Sequence, residues 1–295
     1  MPMLNAIDDK GKYIKNSIKK SLKPFIRWPG GKRWLINRYP GLILPPVDGT
    51  YFEPFLGSAA MFASVYPRHS ILSDLNKELI STFIALRDHQ KAVEDLLKIH
   101  QRHHCEAYYY TMRSATHLSG PEVAARFLYL NRTCFNGIYR VNRKGQFNVP
   151  MGSRQNIHRS DDDFTAWSSA LKTCELLTGD FEASIKMAST GDVIYADPPY
   201  SVRHNLNAFR KYNESLFSWE DQERLAHVLT EAAVKGVQVV ISNANHPTVS
   251  ELYPELFSRC EITRNSSIAA SSAKRGAYDE LLLWTRGAIN ERILS

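Results

Sequence analysis

The residues of this chain best suited to chemistry are Asp-Pro-Pro-Tyr at positions 197–200, directly after the apolar run 193–196. Proline has no backbone N–H and holds the chain stiff, while its carbonyl oxygen remains an acceptor. An oxygen of Asp197 and the carbonyl of Pro198 can therefore converge on one amino group, with the ring of Tyr200 beside it. This arrangement suits a flat base that carries an exocyclic NH2 group.

A strand must hold these residues at its end, and the hydrophobic pattern predicts an α/β fold that supplies one. Runs of β-forming residues alternate with segments of helical periodicity, which predicts a mainly parallel sheet. Ligands of such sheets bind at the carboxyl ends of the strands. The predicted strands cover residues 51–56, 69–73, 174–177, 193–196, 237–242, 260–263 and 280–284, and the predicted helices cover 58–66, 76–103 and 220–235.

Other predicted strand ends carry residues that could contact a nucleoside. Residues 53–57 form a tight turn that contains Phe55, and a ligand can lie against such a turn before a helix. Asp74 ends the next strand, where a carboxylate can bind a ribose hydroxyl pair or cap a helix. Asp180 could hold an adenine amino group and Phe181 the face of the ring, although a helix-capping Asp180 fits equally well.

A Gly-Gly turn lies between Trp28 and Lys32, close to the start of the chain. Two glycines let the backbone approach a ligand closely. Trp28 could cover an apolar or cationic group, and Lys32 could meet a carboxylate or a phosphate. The spacing of a phosphate-binding loop is absent, and an ordinary turn is the alternative interpretation.

The middle of the chain, residues 104–172, is aromatic, basic and punctuated by Asn and Gly. Its segments 131–142 and 145–150 combine Arg and Asn, which read guanine and adenine edges, with aromatic residues that wedge into base stacks. The Lys-Arg-Gly sequence at 274–276 is suited to a phosphate contact. The alternative for all of these segments is a solvated basic loop.

Composition and charge indicate what kind of partner and cellular setting the protein has. The net charge of +7 favours a polyanionic partner, and residues 1–22 form a basic arm that either binds phosphate or is a poorly ordered tail. No apolar run can span a bilayer, and the four cysteines lack a C-x-x-C pair, so a reducing cytoplasmic setting is expected. His100, His103 and His104 lack a nearby acidic or cysteine partner, which predicts a solvated helix face and no metal site.

Taken together, these motifs resemble the DNA adenine methylases of the Dam type, the D12 class of amino-methyltransferases. The resemblance covers roughly residues 23–286, and the landmarks occur in the family's order, which is far more specific than any one of them. They are Trp-x-Gly-Gly-Lys (28–32), Glu-Pro-Phe-x-Gly (53–57), Asp-x-Asn (74–76), Asn-Gly-x-x-Arg (136–140), Gly-x-Phe-Asn-Val-Pro (145–150), Asp-Pro-Pro-Tyr (197–200), Ile-Ser-Asn (241–243) and Asp-Glu-Leu-Leu (279–282).

The resemblance implies a Rossmann-like methyltransferase sheet that depends on S-adenosylmethionine and carries an inserted, mainly helical target-recognition domain. The corresponding boundaries are 23–75 and 173–295 for the catalytic domain and 76–172 for the recognition domain. By the same resemblance, the residues that line the cofactor pocket are Trp28, Lys32, Phe55, Asp74, Asp180, Phe181 and Asp197.

The reaction implied by the resemblance is methyl transfer to the N6 amino group of an adenine flipped out of duplex DNA. Asp197 and the carbonyl of Pro198 would orient the nitrogen, and Tyr200 would stack on the ring. A GATC-like site is the family default. The expected contacts to DNA are Arg27, Asn136, Ile138 and Arg140.

Alternative functions share parts of this pattern. An RNA adenine methyltransferase and a DNA cytosine-N4 methyltransferase would use the same chemistry, and an inactive DNA-binding relative would keep only the fold. We expect a bacterial or phage-encoded monomer whose partner is double-stranded DNA. A restriction endonuclease or another defence-system protein is a further candidate partner.

Overall fold

The computed structural model describes residues 22–46, 48–142, 144–201, 217–265 and 277–294. Two predicted phosphate-contacting segments fall outside these ranges. They are the basic arm, of which only Leu22 is described, and the Lys-Arg-Gly sequence at 274–276.

The described strands form one seven-stranded sheet in the order β3-β2-β1-β4-β5-β7-β6. All neighbours pair in parallel except β7, which runs antiparallel to both β5 and β6. This sheet confirms the predicted mainly parallel α/β class. The strands are β1 (Tyr51–Glu53), β2 (Ser70–Asp74), β3 (Cys174–Thr178), β4 (Val193–Ala196), β5 (Gln238–Ala244), β6 (Ser258–Asn265) and β7 (Ala277–Trp284).

The helices lie between the strands, and the longest of them, with its neighbours, fills the connection from β2 to β3. The predicted helix 76–103 is found almost unchanged, with non-helical backbone at His89. In chain order the helices are α1 (Arg33–Arg38), α2 (Ala60–Val65), α3 (Lys77–His103), α4 (Glu106–Ser114), α5 (Pro121–Thr133), α6 (Phe164–Leu171), α7 (Phe181–Ile185), α8 (Trp219–Val234) and α9 (Pro247–Ser250).

Both faces of the sheet are buried. Successive residues of a strand point to opposite faces, so neighbouring residues belong to different hydrophobic cores. Tyr51 of β1 and Tyr195 of β4 belong to one hydrophobic core, which also contains the buried residues of α3, α5 and α6. Phe52 and Ile194, the next residues along, belong to a second core that contains α7 and α8. The helical segment between β2 and β3 therefore shares its core with one face of the sheet.

The strand order changes direction between β1 and β4. The chain passes from β1 outward to β2 and β3, and then returns to place β4 on the other side of β1. At such a switch point the connections leave on opposite sides and open a crevice at the carboxyl ends of the two strands. The turn that begins at Glu53 and the Asp-Pro-Pro-Tyr sequence at 197–200 both start at this crevice.

Candidate active site

A buried lysine joins the Asp-Pro-Pro-Tyr sequence to two other elements. The Nζ atom of Lys32 lies 2.8 Å from Oδ1 of Asp197 and 3.5 Å from Oε2 of Glu280, and the lysine side chain is only 3% exposed. Tyr200 donates its hydroxyl to the same Glu280 oxygen at 2.9 Å. Lys32 Nζ also lies 4.9 Å from the centre of the Tyr200 ring. One ammonium group thus contacts two carboxylates and an aromatic face.

The Gly-Gly turn brings Lys32 to this position. Gly30 has a φ of 77°, a left-handed conformation that glycine adopts without steric cost. The turn closes with the N–H of Gly31 bonded to the carbonyl of Trp28 at 3.3 Å, and Lys32 follows as the residue that precedes α1. The lysine Nζ folds back onto the carbonyl of Gly30 at 3.0 Å, so the turn and the ammonium group support each other.

A buried amide fixes the backbone beyond the two prolines. Nε2 of Gln222 on α8 lies 3.4 Å from the Pro199 carbonyl and donates to the hydroxyl of Ser201 at 3.2 Å. Asn243 at the end of β5 donates in turn to Oε1 of Gln222 at 3.0 Å. Because Gln222 and Asn243 are fully buried, these hydrogen bonds fix the backbone at Pro199 and Ser201.

Glu53 places a second acid near Asp197. It is 3% exposed, and a single oxygen accepts hydrogen bonds from the Tyr51 hydroxyl and the Phe62 N–H, both at 2.9 Å. Burial raises the pKa of Glu53 to about 8, and the negative charge of Asp197 adds to the rise. Glu53 is therefore largely protonated at neutral pH.

Asp74 braces the turn that follows β1. Its Oδ2 accepts from the N–H of Gly57 at 3.0 Å, and its Oδ1 accepts from the N–H of Asn76 at 2.9 Å. The residue that caps α3 is Asn76 and not Asp74, so the capping interpretation of Asp74 is wrong. Burial raises the pKa of this carboxyl despite both hydrogen bonds. A carboxylate has further lone pairs, so these bonds leave acceptor capacity for a ligand.

The predicted adenine pocket is an aromatic group with an acid at its edge. The rings of Phe55 and Phe181 stack with centres 5.4 Å apart, and Phe217 meets Phe55 edge-on at 5.6 Å. Asp180 caps α7 through the N–H of Glu182, as its alternative interpretation predicted. Its two oxygens also pair with Arg224 at 2.7 and 2.8 Å.

Three of the four predicted DNA-contacting residues, Asn136, Ile138 and Arg140, lie on one turn at the surface. Phe135 to Gly137 form a short 3-10 helix in which Asn136 has a left-handed φ of 56°. Phe135 is 54% exposed, and Arg140 lies exposed with its Nε donating to Asn148 at 2.9 Å. We call residues 135–140 the recognition turn. The side chains of Phe135, Asn136 and Arg140 reach solvent, whereas Tyr139 packs against the core.

The recognition turn is attached to the segment that leads to Lys32. The buried side chain of Asn131 accepts from the N–H of Arg27 at 2.9 Å and donates to its carbonyl at 2.8 Å. A Cβ atom on Gly137 would lie 2.8 Å from Cδ of Arg27, so these two segments of the backbone are in close contact. Trp28 stacks on Tyr139 with ring centres 5.6 Å apart. Arg27 thus lies beside the other predicted DNA contacts.

Comparison with known proteins assigns this site to a family. A model of the D12 class N6 adenine-specific DNA methyltransferases matches residues 28–268. The chain belongs to this family. Its substrate is accordingly DNA, and the group that accepts the methyl is the N6 amino group of adenine.

Individual relatives agree with this assignment. Type II methyltransferase M1.LlaDCHI of Lactococcus lactis subsp. cremoris is 36% identical over 279 residues, with 91% of this chain and 97% of that protein covered. The DNA adenine methylase of Haemophilus influenzae is 32% identical over 278 residues, with 91% and 96% covered. The DNA N-6-adenine-methyltransferase of Escherichia phage P1 is 31% identical over 265 residues, which cover 88% of this chain and 35% of that protein.

Three residues of this D12 methyltransferase site were not predicted individually from the sequence. They are Glu280, Gln222 and Asn243, whose contacts hold Lys32, Tyr200 and the backbone at 199–201. The landmark sequences Ile-Ser-Asn and Asp-Glu-Leu-Leu carry a signal for Asn243 and Glu280. Gln222 has none, because it lies inside an ordinary amphipathic helix.

The histidine group on α3 differs from the prediction. His100 is 5% exposed, stacks on Tyr129 with ring centres 4.9 Å apart and bonds the Tyr108 hydroxyl at 2.8 Å. The expected solvated face is therefore wrong for His100, because α4 and α5 cover it. Burial lowers the pKa of His100 to about 4.

Metal-binding clusters and membrane-spanning helices are both absent from the described residues. Over these ranges, no group of three or more His, Cys, Asp or Glu side chains is placed to hold a metal ion. No helix in the described part of the chain is long and apolar enough to cross a membrane.

Proposed function

We propose that this D12 methyltransferase transfers the methyl group of S-adenosylmethionine to the N6 amino group of an adenine flipped out of a short duplex DNA site. The observation that carries the proposal is the Asp197 carboxylate at the switch point of the sheet, held 2.8 Å from buried Lys32 with Tyr200 beside it. An acid, a proline carbonyl and an aromatic ring at one strand end are suited to a planar amine.

The chemical task of the protein is to make a poor nucleophile reactive. The lone pair of the adenine amino group is delocalised into the ring. Hydrogen bonds from its two N–H groups to an Asp197 oxygen and the Pro198 carbonyl would favour tetrahedral geometry at nitrogen and direct the lone pair outward. Fixed orientation of two reactants can contribute on the order of 7–11 kcal/mol. The buried Gln222–Asn243 pair supports the backbone at Pro199 and Ser201, directly after these acceptors, and this would limit their reorganisation during the reaction.

The residues around the crevice fit the proposed cofactor. When bound, S-adenosylmethionine supplies an electrophilic methyl group on a sulfonium cation. The Asp197 and Glu280 carboxylates at the crevice are groups that attract a cation. The stacked Phe55 and Phe181 rings would hold an adenine face, Asp180 its amino group, Asp74 the ribose hydroxyls, and Trp28 and Lys32 the remaining edge.

We propose residues 76–172 as the target-recognition domain, with Asn136, Ile138 and Arg140 of the recognition turn and Arg27 beside it as DNA contacts. Asn136 and Arg140 are exposed, Ile138 and Arg27 are half-buried, and the backbone of Arg27 is anchored by buried Asn131, which supports this role. Extrusion of the adenine would cost a few kcal/mol. Stacking on Tyr200 would return roughly 1–3 kcal/mol of this.

A methylation assay with labelled cofactor tests the proposal directly. Purified protein is incubated with duplex DNA and, separately, with RNA, and the modified base is identified by mass spectrometry. We expect N6-methyladenine in DNA only. The Asp197→Ala variant should lose methyl transfer by at least about a thousandfold while it still binds DNA, because the variant lacks an acceptor for the amino group. N4-methylcytosine, methylated RNA or normal turnover of Asp197→Ala would each contradict the proposal.

We make more specific proposals about the recognition sequence and the biological setting. We propose a GATC-like site, supported by the Asn136-Gly137 and Arg140 pattern of the recognition turn. Sequencing of methylated adenines in a host genome after expression would identify the site. We further propose that the protein acts as a monomer, and size-exclusion chromatography with light scattering checks this. Co-purification from the native host would detect a partner restriction endonuclease.

A further inference from the structure

Arg224 on α8 holds both oxygens of Asp180, the residue proposed to bind the amino group of the cofactor's adenine. Its Nη1 donates to Oδ1 of Asp180 at 2.7 Å, and its Nη2 donates to Oδ2 at 2.8 Å. The capping bond from the N–H of Glu182 to Oδ1 would by itself leave the carboxylate free to rotate about that contact. A planar guanidinium matches a carboxylate through two parallel bonds, so Arg224 fixes the plane of this group as well as its position.

The guanidinium group of Arg224 is itself held from two sides. Its Nη1 also donates to Oε2 of Glu182 on α7 at 2.9 Å, and its Nη2 donates to Oδ1 of Asp221 at the start of α8 at 2.8 Å. The same group lies over the ring of Phe181, with Cζ 4.3 Å from the ring centre. Arg224 therefore contacts both Asp180 and Phe181, two neighbouring residues proposed to bind the adenine.

These contacts lie at the surface, where Arg224 is 37% and Asp180 45% exposed. Ion pairs of this exposure contribute little to stability, because water solvates their charges. A carboxylate offers about four acceptor positions, so a ligand N–H can still bind Asp180 beside Arg224. The hydrogen bonds from Arg224 lower the pKa of Asp180, so this group is ionised at neutral pH and acts as an acceptor. The main consequence of the pair is thus the direction of a charged acceptor.

We infer that Arg224 is a positioning residue of the cofactor site, whose two bonds aim the Asp180 carboxylate at the exocyclic amino group and so make the site prefer adenine to hypoxanthine. This inference rests on the proposed function, because it assumes S-adenosylmethionine beside Asp180. An amino group donates to an ionised carboxylate, whereas the carbonyl oxygen that replaces it in hypoxanthine has no proton to donate and is repelled. The preference then depends on where the carboxylate points.

Binding of two analogues of the demethylated cofactor tests the inference without turnover. S-adenosylhomocysteine and S-inosylhomocysteine differ in carrying an amino group or a carbonyl at the same position of the purine. Isothermal titration calorimetry measures the dissociation constant of each compound. The wild type should bind the adenosyl compound at least about thirtyfold more tightly, because the inosyl compound leaves a charged acceptor without its donor.

Substitutions of Arg224 should reduce this preference. Arg224→Gln should weaken binding of the adenosyl compound at least about tenfold and that of the inosyl compound less than about threefold. Arg224→Lys keeps the charge but not the two parallel bonds, so it should behave like Arg224→Gln. The control is Arg87→Gln, which breaks a two-bonded pair with Asp88 on α3 and should keep the wild-type binding of both compounds.

A second background shows whether Arg224 acts through Asp180. Asp180→Ser removes the carboxylate but keeps an oxygen that can cap α7. In that background, Arg224→Gln should change the affinity for S-adenosylhomocysteine by less than about twofold. Thermal unfolding of the Arg224 variants should stay close to that of the wild type, because the pairs are exposed.

The results separate this inference from the proposed function. If the wild type binds neither compound, the proposed cofactor is wrong and the inference fails with it. If the wild type methylates DNA but prefers neither compound, the inference alone is overturned. Equal weakening of both compounds by Arg224→Gln, a wild-type preference in Arg224→Lys, or a full effect of Arg224→Gln in the Asp180→Ser background overturns it as well. A wild type that shows the expected preferences but methylates no DNA supports the inference and contradicts only the proposed methyl transfer.

Discussion

The strand-end cluster of Lys32, Asp197, Tyr200 and Glu280 and the recognition turn at 135–140 are built in opposite ways. In the cluster, charged side chains are buried and bind each other, with Lys32 3% and Glu280 7% exposed. In the recognition turn, the side chains of Phe135, Asn136 and Arg140 reach solvent, and Phe135 is 54% exposed. The residues that support this turn are buried. Among them, the side chain of Asn131 forms hydrogen bonds with the backbone of Arg27.

This difference fits the roles proposed for the two regions. A reaction centre needs acceptors that do not move during the reaction, so its side chains are fixed by other side chains. A surface that reads DNA must offer side chains that bases and phosphates can reach, so only its backbone can be fixed. Substitutions should therefore affect stability when they reach the support, pH dependence when they reach the buried acids, and DNA affinity when they reach the turn.

The support beneath the recognition turn should show the largest effect on stability. Arg132 is 2% exposed and pairs with both oxygens of Asp162 at 2.6 and 2.9 Å, while it also donates to the Phe25 carbonyl. Arg132→Ala leaves a buried carboxylate without this partner and should lower the free energy of unfolding by about 3–5 kcal/mol. Urea denaturation measures this. Lys91→Ala, which breaks an exposed pair with Asp95, should leave the urea midpoint of unfolding unchanged. An equal loss of stability in both variants would contradict the difference expected between the buried and the exposed ion pair.

Glu53, the buried acid near Asp197, should make stability depend on pH. Glu53 has a pKa of about 8 in the folded protein and 4.5 as its ordinary value. Between these values the folded state holds a proton that the unfolded state has lost, so this group lowers stability as pH rises from 4.5 to 8. Glu53→Gln should remove a slope of up to about 1.4 kcal/mol per pH unit while it keeps an oxygen for Tyr51 and Phe62.

Unfolding free energies at pH 5.5 and 7.5 measure this slope, and the variant should gain stability over the wild type at the higher pH. The exposed Glu175→Gln on β3 is the control, and it should keep the wild-type pH dependence. Parallel curves for the wild type and Glu53→Gln would show that Glu53 is ionised in the folded protein.

Substitution of an exposed side chain in the recognition turn should weaken DNA binding without changing the stability of the protein. Arg140→Ala should weaken binding to the cognate duplex by about 1–3 kcal/mol and reduce discrimination against altered sites. Stability should not change, because the side chain is exposed. Fluorescence anisotropy with cognate and altered duplexes measures this effect. Arg286→Ala removes the same charge from an exposed turn after β7, and an equal loss there would assign the effect of Arg140→Ala to net charge alone.

Much of the sheet follows from local sequence, since β4 and α3 occur where periodicity predicts them, within a residue at each end. The predicted strand 51–56 ends at Glu53 because Pro54 cannot donate to the ladder. The position of Asp74 and Asp197 at the ends of predicted parallel strands likewise predicted that they lie at one edge of the sheet. The solvated histidine face was wrong because periodicity does not reveal that α4 and α5 pack over His100.

The sequence by itself determined the chemistry: an acid, proline carbonyls and an aromatic ring at a strand end, within motifs whose order defines the D12 class. These properties are local, because they depend on residue type and on the end of a single strand. Only the tertiary structure decided which charges meet. Lys32, Asp197 and Glu280 come from a turn, a parallel strand and an antiparallel strand, and only the strand order and register of the folded sheet bring them together.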